Sequence, residues 1–219
     1  MPAHVEIELC GTRLWLLADR ALYWPQQQAL LVADVHLGKA ASYRALHQPV
    51  PRGTTAASLA RLDALLARYP CRQLIVLGDF IHARTGRAPA TLALLQDWRE
   101  RHPGLHIRLI RGNHDRKAGD PPPSLAIEVL DEPWVLEPFA LQHEPTPHAN
   151  RPVLAGHVHP VCLLRGRARQ RLRLPCFVID EQVSLLPAFG EFTGGWEVLP
   201  EAPARLYVTG DGQVWPLLR

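Results

Sequence analysis

Apolar residues in the first half of the chain come in short runs separated by helical repeats. Residues 5–9 and 13–17 flank Gly11-Thr12 and predict a hairpin. Residues 29–33 are an unbroken apolar run ending at Asp34, and residues 74–77 are a second, ending at Gly78-Asp79. Residues 107–110 make a third strand, ending at Gly112-Asn113. Between these runs, residues 55–69 carry Leu59, Leu62, Leu65 and Leu66 at helical spacing and stop at Pro70. Residues 89–101 place Leu92, Leu95 and Trp98 on one helical face. The second half changes character: residues 125–130, 135–141, 153–155, 171–179 and 206–209 predict strands with little helix between them. The Pro-rich stretches 121–123 and 200–203 read as surface loops. Strand–helix alternation followed by a run of strands predicts an α/β fold, a two-sheet β-sandwich flanked by helices. No repeat, linker or composition shift marks a boundary, so residues 1–219 read as one domain.

Composition narrows the setting. A chain of 219 residues, 47% hydrophobic and 21% charged, can bury a core without staples, and disorder is not expected. No apolar stretch reaches membrane-spanning length, and the N-terminus lacks the basic-then-apolar pattern of a secretory leader. Cys10, Cys71, Cys162 and Cys176 are far apart, which argues against a disulfide framework or a thiolate zinc site. Together these features predict a cytoplasmic protein with no membrane partner. The net charge of +3 does not by itself announce nucleic acid. Arginine dominates the cations, with Lys39 and Lys117 the two lysines, so only local clusters carry information. One such cluster is Arg165, Arg167, Arg169, Arg171 and Arg173. It forms a basic face if the strand is continuous and a basic tip if the chain turns near residues 166–170. Either form could hold a nucleic-acid backbone, or simply protect an edge strand. Aromatic residues do not interleave with it, and no stacking platform is visible.

Five segments share one grammar, an apolar run and then a polar residue where the strand should end. They are Asp34-Val35-His36, Gly78-Asp79, Gly112-Asn113-His114-Asp115, Gln142-His143-Glu144 and Gly156-His157-Val158-His159. Ligands gather at the carboxyl ends of strands in α/β sheets, so residues a hundred positions apart can converge there. Carboxylate, imidazole and amide oxygens together suit divalent manganese, iron or zinc. Asp34, His36, Asp79, Asn113, His143, His157 and His159 are too many ligands for one ion, and two ions sharing one carboxylate account for all of them. Asp79 is the expected bridge. Two ions about 3.5–4 Å apart activate a water and stabilise an in-line phosphoryl displacement. His114, beside a ligand but not needed as one, is the candidate proton donor, with Asp115 as the carboxylate that would fix its tautomer. Gly78, Gly112 and Gly156 stand directly before ligands and permit close backbone approach.

Other residues carry two readings. His148 competes with His143, but it lies in a Pro-rich loop, whereas His143 follows an apolar run. Glu144 reads as solvated. His82, three residues past Asp79, either contacts substrate or lies on a surface loop. Lys39 and Arg44 either line a phosphate cleft or belong to a solvated face. Gly38-Lys39 is not a P-loop ending, because Ala33 stands where the upstream glycine is required.

These motifs, in this order from Asp34 to His159, resemble the calcineurin-like metallophosphoesterase superfamily. Several stretches are similar to a narrower group, the bacterial ligase-associated DNA damage response endonucleases. These are residues 33–40, 78–82, 142–145 and Leu186-Pro187-Ala188-Phe189-Gly190-Glu191-Phe192-Thr193-Gly194-Gly195. The resemblance implies a manganese-dependent phosphodiesterase that cuts DNA in repair, associated with a helicase and an ATP-dependent DNA ligase. It implies one metal held by Asp34, His36, Asp79 and His159, and a second held by Asp79, Asn113, His143 and His157. It also implies that His114 is the catalytic histidine. Two alternatives stand beside it. A hydrolase of small nucleotide or lipid substrates is one, although the lipid-pyrophosphate enzymes favour Gly-Asn-Arg-Asp where this chain has Gly112-Asn113-His114-Asp115. A non-catalytic scaffold is the other, although such relatives lose ligands that this chain keeps.

Overall fold

The computed structural model describes residues 3–51, 53–166, 170–199 and 202–217. A first sheet has seven strands in chain order: β1 (His4–Leu9), β2 (Thr12–Leu17), β3 (Ala21–Trp24), β4 (Ala29–Ala33), β5 (Gln73–Leu77), β6 (His106–Ile110) and β7 (Ile127–Leu130). The strands β1 to β4 are antiparallel neighbours, and β4 to β7 are parallel. The parallel half needs crossovers, and helices α1 (Lys39–Ala45), α2 (Thr54–Arg68), α3 (Pro89–Arg101) and α4 (Asn113–Ala118) occur in them. A second sheet contains β8 (Trp134–Leu136), β9 (Phe139–Leu141), β10 (Val153–Ala155), β11 (Pro160–Arg165), β12 (Arg171–Ile179), β13 (Val183–Leu185), β14 (Trp196–Glu197), β15 (Arg205–Gly210) and β16 (Gln213–Leu217). Its path runs β14-β11-β12-β13-β10-β9-β8, with β15 joining β12 to β16.

The apolar runs of β4 and β5 are unbroken because both faces of those strands are covered. Leu30, Val32, Leu74 and Val76 pack with Leu59, Leu62, Leu65, Leu95 and Trp98 of the helices. The alternate residues Leu31, Ala33, Ile75 and Leu77 pack against Phe139, Leu141, Leu154 and Phe177 of the second sheet. The sandwich is therefore as expected, but the helices lie on one side. On the outer face of the second sheet, Cys176, Val178, Leu206 and Val208 cluster with strand and loop residues.

A further difference from the sequence reading has a local cause. Residues 135–141 are two strands, because Glu137-Pro138 turns the chain and pairs Leu136 with Phe139. Proline has no N–H to continue a ladder. The arginine-rich segment is a hairpin, with Arg165 opposite Arg171 and Leu163 opposite Arg173, which puts Arg165, Arg171 and Arg173 on one face. Arg167 and Arg169 lie outside the described residues. All four cysteines are free, and among the described residues no helix is long and apolar enough to cross a membrane.

Phe139 is fully buried between the sheets, edge-on to Trp24 at 5.3 Å. Phe139→Ala should lower the unfolding free energy by about 3–5 kcal/mol, measured by urea denaturation. A loss below about 1 kcal/mol would mean that the sheets do not depend on this contact.

Candidate metal centre

The buried strands set where the first polar residues fall. Asp34 follows β4, Gly78-Asp79 follow β5, and Gly112-Asn113 come just past β6. Across the sandwich, His143 lies beyond β9, and His157 and His159 beyond β10. The ends are tied together. Asp34 N–H donates to Gly78 O at 3.2 Å, and His36 N–H to Asp79 O at 2.8 Å. His157 N–H crosses to Asp34 Oδ2 at 2.9 Å. The late segment joins the same rim, with Phe189 N–H on Ala33 O and Gly190 N–H on Asp34 O.

Leaving the strands requires unusual backbone. Asp34, His36, Asp79, His157 and His159 all have φ between 48° and 70°, a left-handed conformation that costs a non-glycine residue about 1–3 kcal/mol. Five such residues in one cluster mean that the fold is stabilised elsewhere against this strain. Gly78 is also left-handed, and a Cβ there would fall inside the His143 ring. A Cβ on Gly112 would collide with Asp79.

The side chains form two groups that share one carboxylate. On one side, His159 Nε2 is 3.2 Å from Asp34 Oδ1 and 3.3 Å from His36 Nε2, which is 3.8 Å from Asp79 Oδ2. On the other side, His143 Nε2 is 2.9 Å from Asn113 Oδ1, 3.0 Å from His157 Nδ1 and 3.5 Å from Asp79 Oδ1. The two Asp79 oxygens thus face different groups, which suits a carboxylate shared by two ions.

The donor set fits divalent metal. His143 Nδ1 donates to Leu77 O at 3.1 Å, and His159 Nδ1 donates to Gly194 O at 3.1 Å. These bonds fix each tautomer and leave the Nε2 lone pair free. Asp34 Oδ1 is buried without a hydrogen-bond partner, 3.2 Å from His159 Nε2. Ligand atoms around an ion with bonds of about 2.1 Å sit about 3.0–3.4 Å apart; the facing atoms here lie 2.9–3.8 Å apart. Burial lowers the His36 imidazole well below the ordinary histidine range, reinforced by Lys39 and the neighbouring imidazoles, so it is neutral as a ligand must be.

Residues 28–167 match the family described as calcineurin-like phosphoesterase. The chain belongs to this family. It is therefore a metal-dependent phosphoester hydrolase. Among solved structures it is similar to the crystal structure of the Pseudomonas putida nuclease MPE, with 69% identity and a TM-score of 0.87. That match covers 98% of this chain and 100% of the other. No curated protein matches the chain.

Around the phosphoesterase centre the remaining candidates separate. His114 is the second residue of α4, with its Nδ1 donating to His82 O at 2.6 Å and its Nε2 3.9 Å from Asp79 Oδ2. Its side chain is 32% exposed, so a substrate can reach it. His82 belongs to the centre: its ring stacks on His114 at 4.8 Å, and its Nδ1 lies 3.3 Å from His36 Nδ1. Burial, with Lys39 and His114, lowers the His82 pKa to about 4, so it is neutral and can accept the His36 proton. Lys39, at the start of α1, is half-buried where Asp34 and Asp79 act on its ammonium. The structure does not bring Arg44 to the centre; it is exposed and donates to Pro51 O at 3.4 Å. His148 is partly buried, with its Nδ1 accepting from Asn150 N–H at 3.2 Å, and Glu144 is exposed.

Asp115 has a different role from the expected one. It does not orient His114, because both of its oxygens are occupied. Oδ2 accepts from Asp79 N–H at 2.7 Å and Gly112 N–H at 3.0 Å, and Oδ1 from Phe80 N–H at 3.0 Å and Ile81 N–H at 3.3 Å. Burial pushes its carboxyl up to about 6 although these amides favour the charged form. It is a cap that holds the loop carrying Asp79. Sequence reasoning also missed Glu132, whose Oε2 accepts from His143 N–H at 2.7 Å and Glu144 N–H at 2.9 Å. The one available signal was an acid shortly before the β9 hairpin.

Asp115→Asn turns one acceptor into a donor and strands two buried amides. It should lower stability by on the order of 3 kcal/mol and weaken metal binding, read by denaturation and calorimetric manganese titration. Unchanged stability with a reduced rate would instead restore a role at His114.

Proposed function

We propose that this phosphoesterase is a two-metal, manganese-dependent DNA endonuclease that works in DNA repair in the cytoplasm. The observation that carries the reading is the 69% identity over nearly the whole chain to a nuclease, joined to a centre in which Asp79 faces two ligand groups. Asp34, His36, Asp79 and His159 would hold one ion, and Asp79, Asn113, His143 and His157 the other. The pair would supply Lewis acidity and an activated water for attack on phosphorus. The protein's own groups do the rest. Lys39 offers a cation to the phosphate. With Nδ1 committed to the His82 carbonyl, any proton that His114 delivers to a leaving oxygen sits on Nε2, on the side facing the centre. Manganese is favoured over iron or zinc by the resemblance to the ligase-associated endonucleases. A functional association with a helicase and an ATP-dependent DNA ligase rests on the same resemblance.

Closed circular single-stranded DNA tests this reading, since a circle has no ends and any cut reports endonuclease action. The protein should linearise it with manganese, and Asp79→Ala should abolish cutting. Hydrolysis of a generic diester with the circle left intact would sink the DNA assignment and turn attention to small nucleotide substrates.

A further inference from the structure

Phe192 combines two features that folding does not explain. It is a bulky aromatic in left-handed backbone, with φ 59°, and it is 46% exposed. Neither strain nor exposure of a ring favours the folded chain, and such costs cluster where a side chain is held for function. The loop that carries it is fixed on both sides. Before it, Glu191 pairs with Arg20 at 2.7 Å and with Arg61, which also donates to Phe189 O. After it, Thr193 Oγ1 donates to Gly190 O at 3.1 Å, and Gly194 O accepts from His159 Nδ1. The ring therefore stands on a rigid support bonded directly to a candidate metal ligand.

The aromatic neighbours form a row leading out of the centre. His82 stacks on His114, Tyr43 stacks on His82 with centroids 6.0 Å apart, and Phe192 meets Tyr43 edge to face at 6.0 Å. Tyr43 is four residues after Lys39 on α1, so cation and ring share one helical face. On the far side of the loop, Arg173 of the basic hairpin donates to Gly195 O at 2.7 Å. Positive charge thus flanks an exposed ring beside the reactive centre. That is the pattern of a surface that tracks a single-stranded backbone and stacks a base.

We propose that Phe192, backed by Tyr43, is a nucleobase-stacking platform that holds an unpaired base next to the phosphodiester being cut. This inference rests on the DNA reading above and specifies how the substrate is held. An unpaired base has two free faces, whereas a base in a duplex has none, so the platform selects single-stranded substrate.

The test compares cleavage of a thymidine homo-oligomer with a strand of equal length built entirely of abasic residues. The unaltered protein should cut the thymidine strand on the order of tenfold more efficiently. In Phe192→Ala that ratio should fall towards one, mainly through KM, and Phe192→Trp should restore it. If Phe192→Ala leaves the ratio unchanged, or slows both strands equally, the platform is wrong while the DNA reading stands. If the unaltered protein cuts neither strand, both fail together.

Discussion

Two buried carboxylates at the joint between two sheets govern this structure. Asp34 and Asp79 have almost no exposed surface, and they lie at the ends of adjacent parallel strands. Holding two negative charges there costs several kcal/mol per ion unless positive charge compensates. Lys39 is the nearby ammonium, and burial lowers its own pKa. The His143 and His159 rings are turned by the Leu77 and Gly194 carbonyls so that the Nε2 of each points inward. Such an arrangement is balanced by divalent cations and by little else. The left-handed residues, the glycines against ligand side chains and the amide cage around Asp115 all serve that convergence.

The ligands were legible because buried strands write their ends into the sequence. An unbroken apolar run must stop where the chain leaves the sandwich, and the polar residue just beyond it stands at the rim. That argument picked out seven side chains that the structure brings together at the rim, and it preferred His143 to His148. It could not assign partners across strands. Asp115 follows His114 in sequence, yet α4 turns its carboxylate toward the Asp79 loop, and the His114 partner is the backbone carbonyl of His82. Backbone acceptors leave no trace in residue identity. The place of Arg44 was illegible for a related reason: where α1 begins decides which of its residues face the centre.

The late segment shows a different limit. Residues 186–195 read as a family signature with no chemistry of their own, since they hold no metal-ligand type except Glu191. Their role is positional. Ala188 bridges Ala33 of β4, and Gly190 approaches Asp34 so closely that a Cβ would strike Val35. Arg61 lies over the Phe189 ring at 4.1 Å and fixes the turn from α2. The segment thus closes the rim from the second sheet. The aromatic row emerges only when Tyr43, His82 and Phe192, far apart in sequence, are brought together by this closure.

The identity of the His114 partner bears on the chemistry. A carboxylate at Nδ1 would orient the ring and also place a full negative charge beside it. The His82 carbonyl orients the ring equally well but brings only a dipole. The nearest full negative charge is Asp79, 3.9 Å from Nε2, and its two oxygens are the ones that face the metal sites. The His82 carbonyl thus fixes which nitrogen of His114 faces the centre, while the one full negative charge near that nitrogen stays on the carboxylate that both ligand groups share.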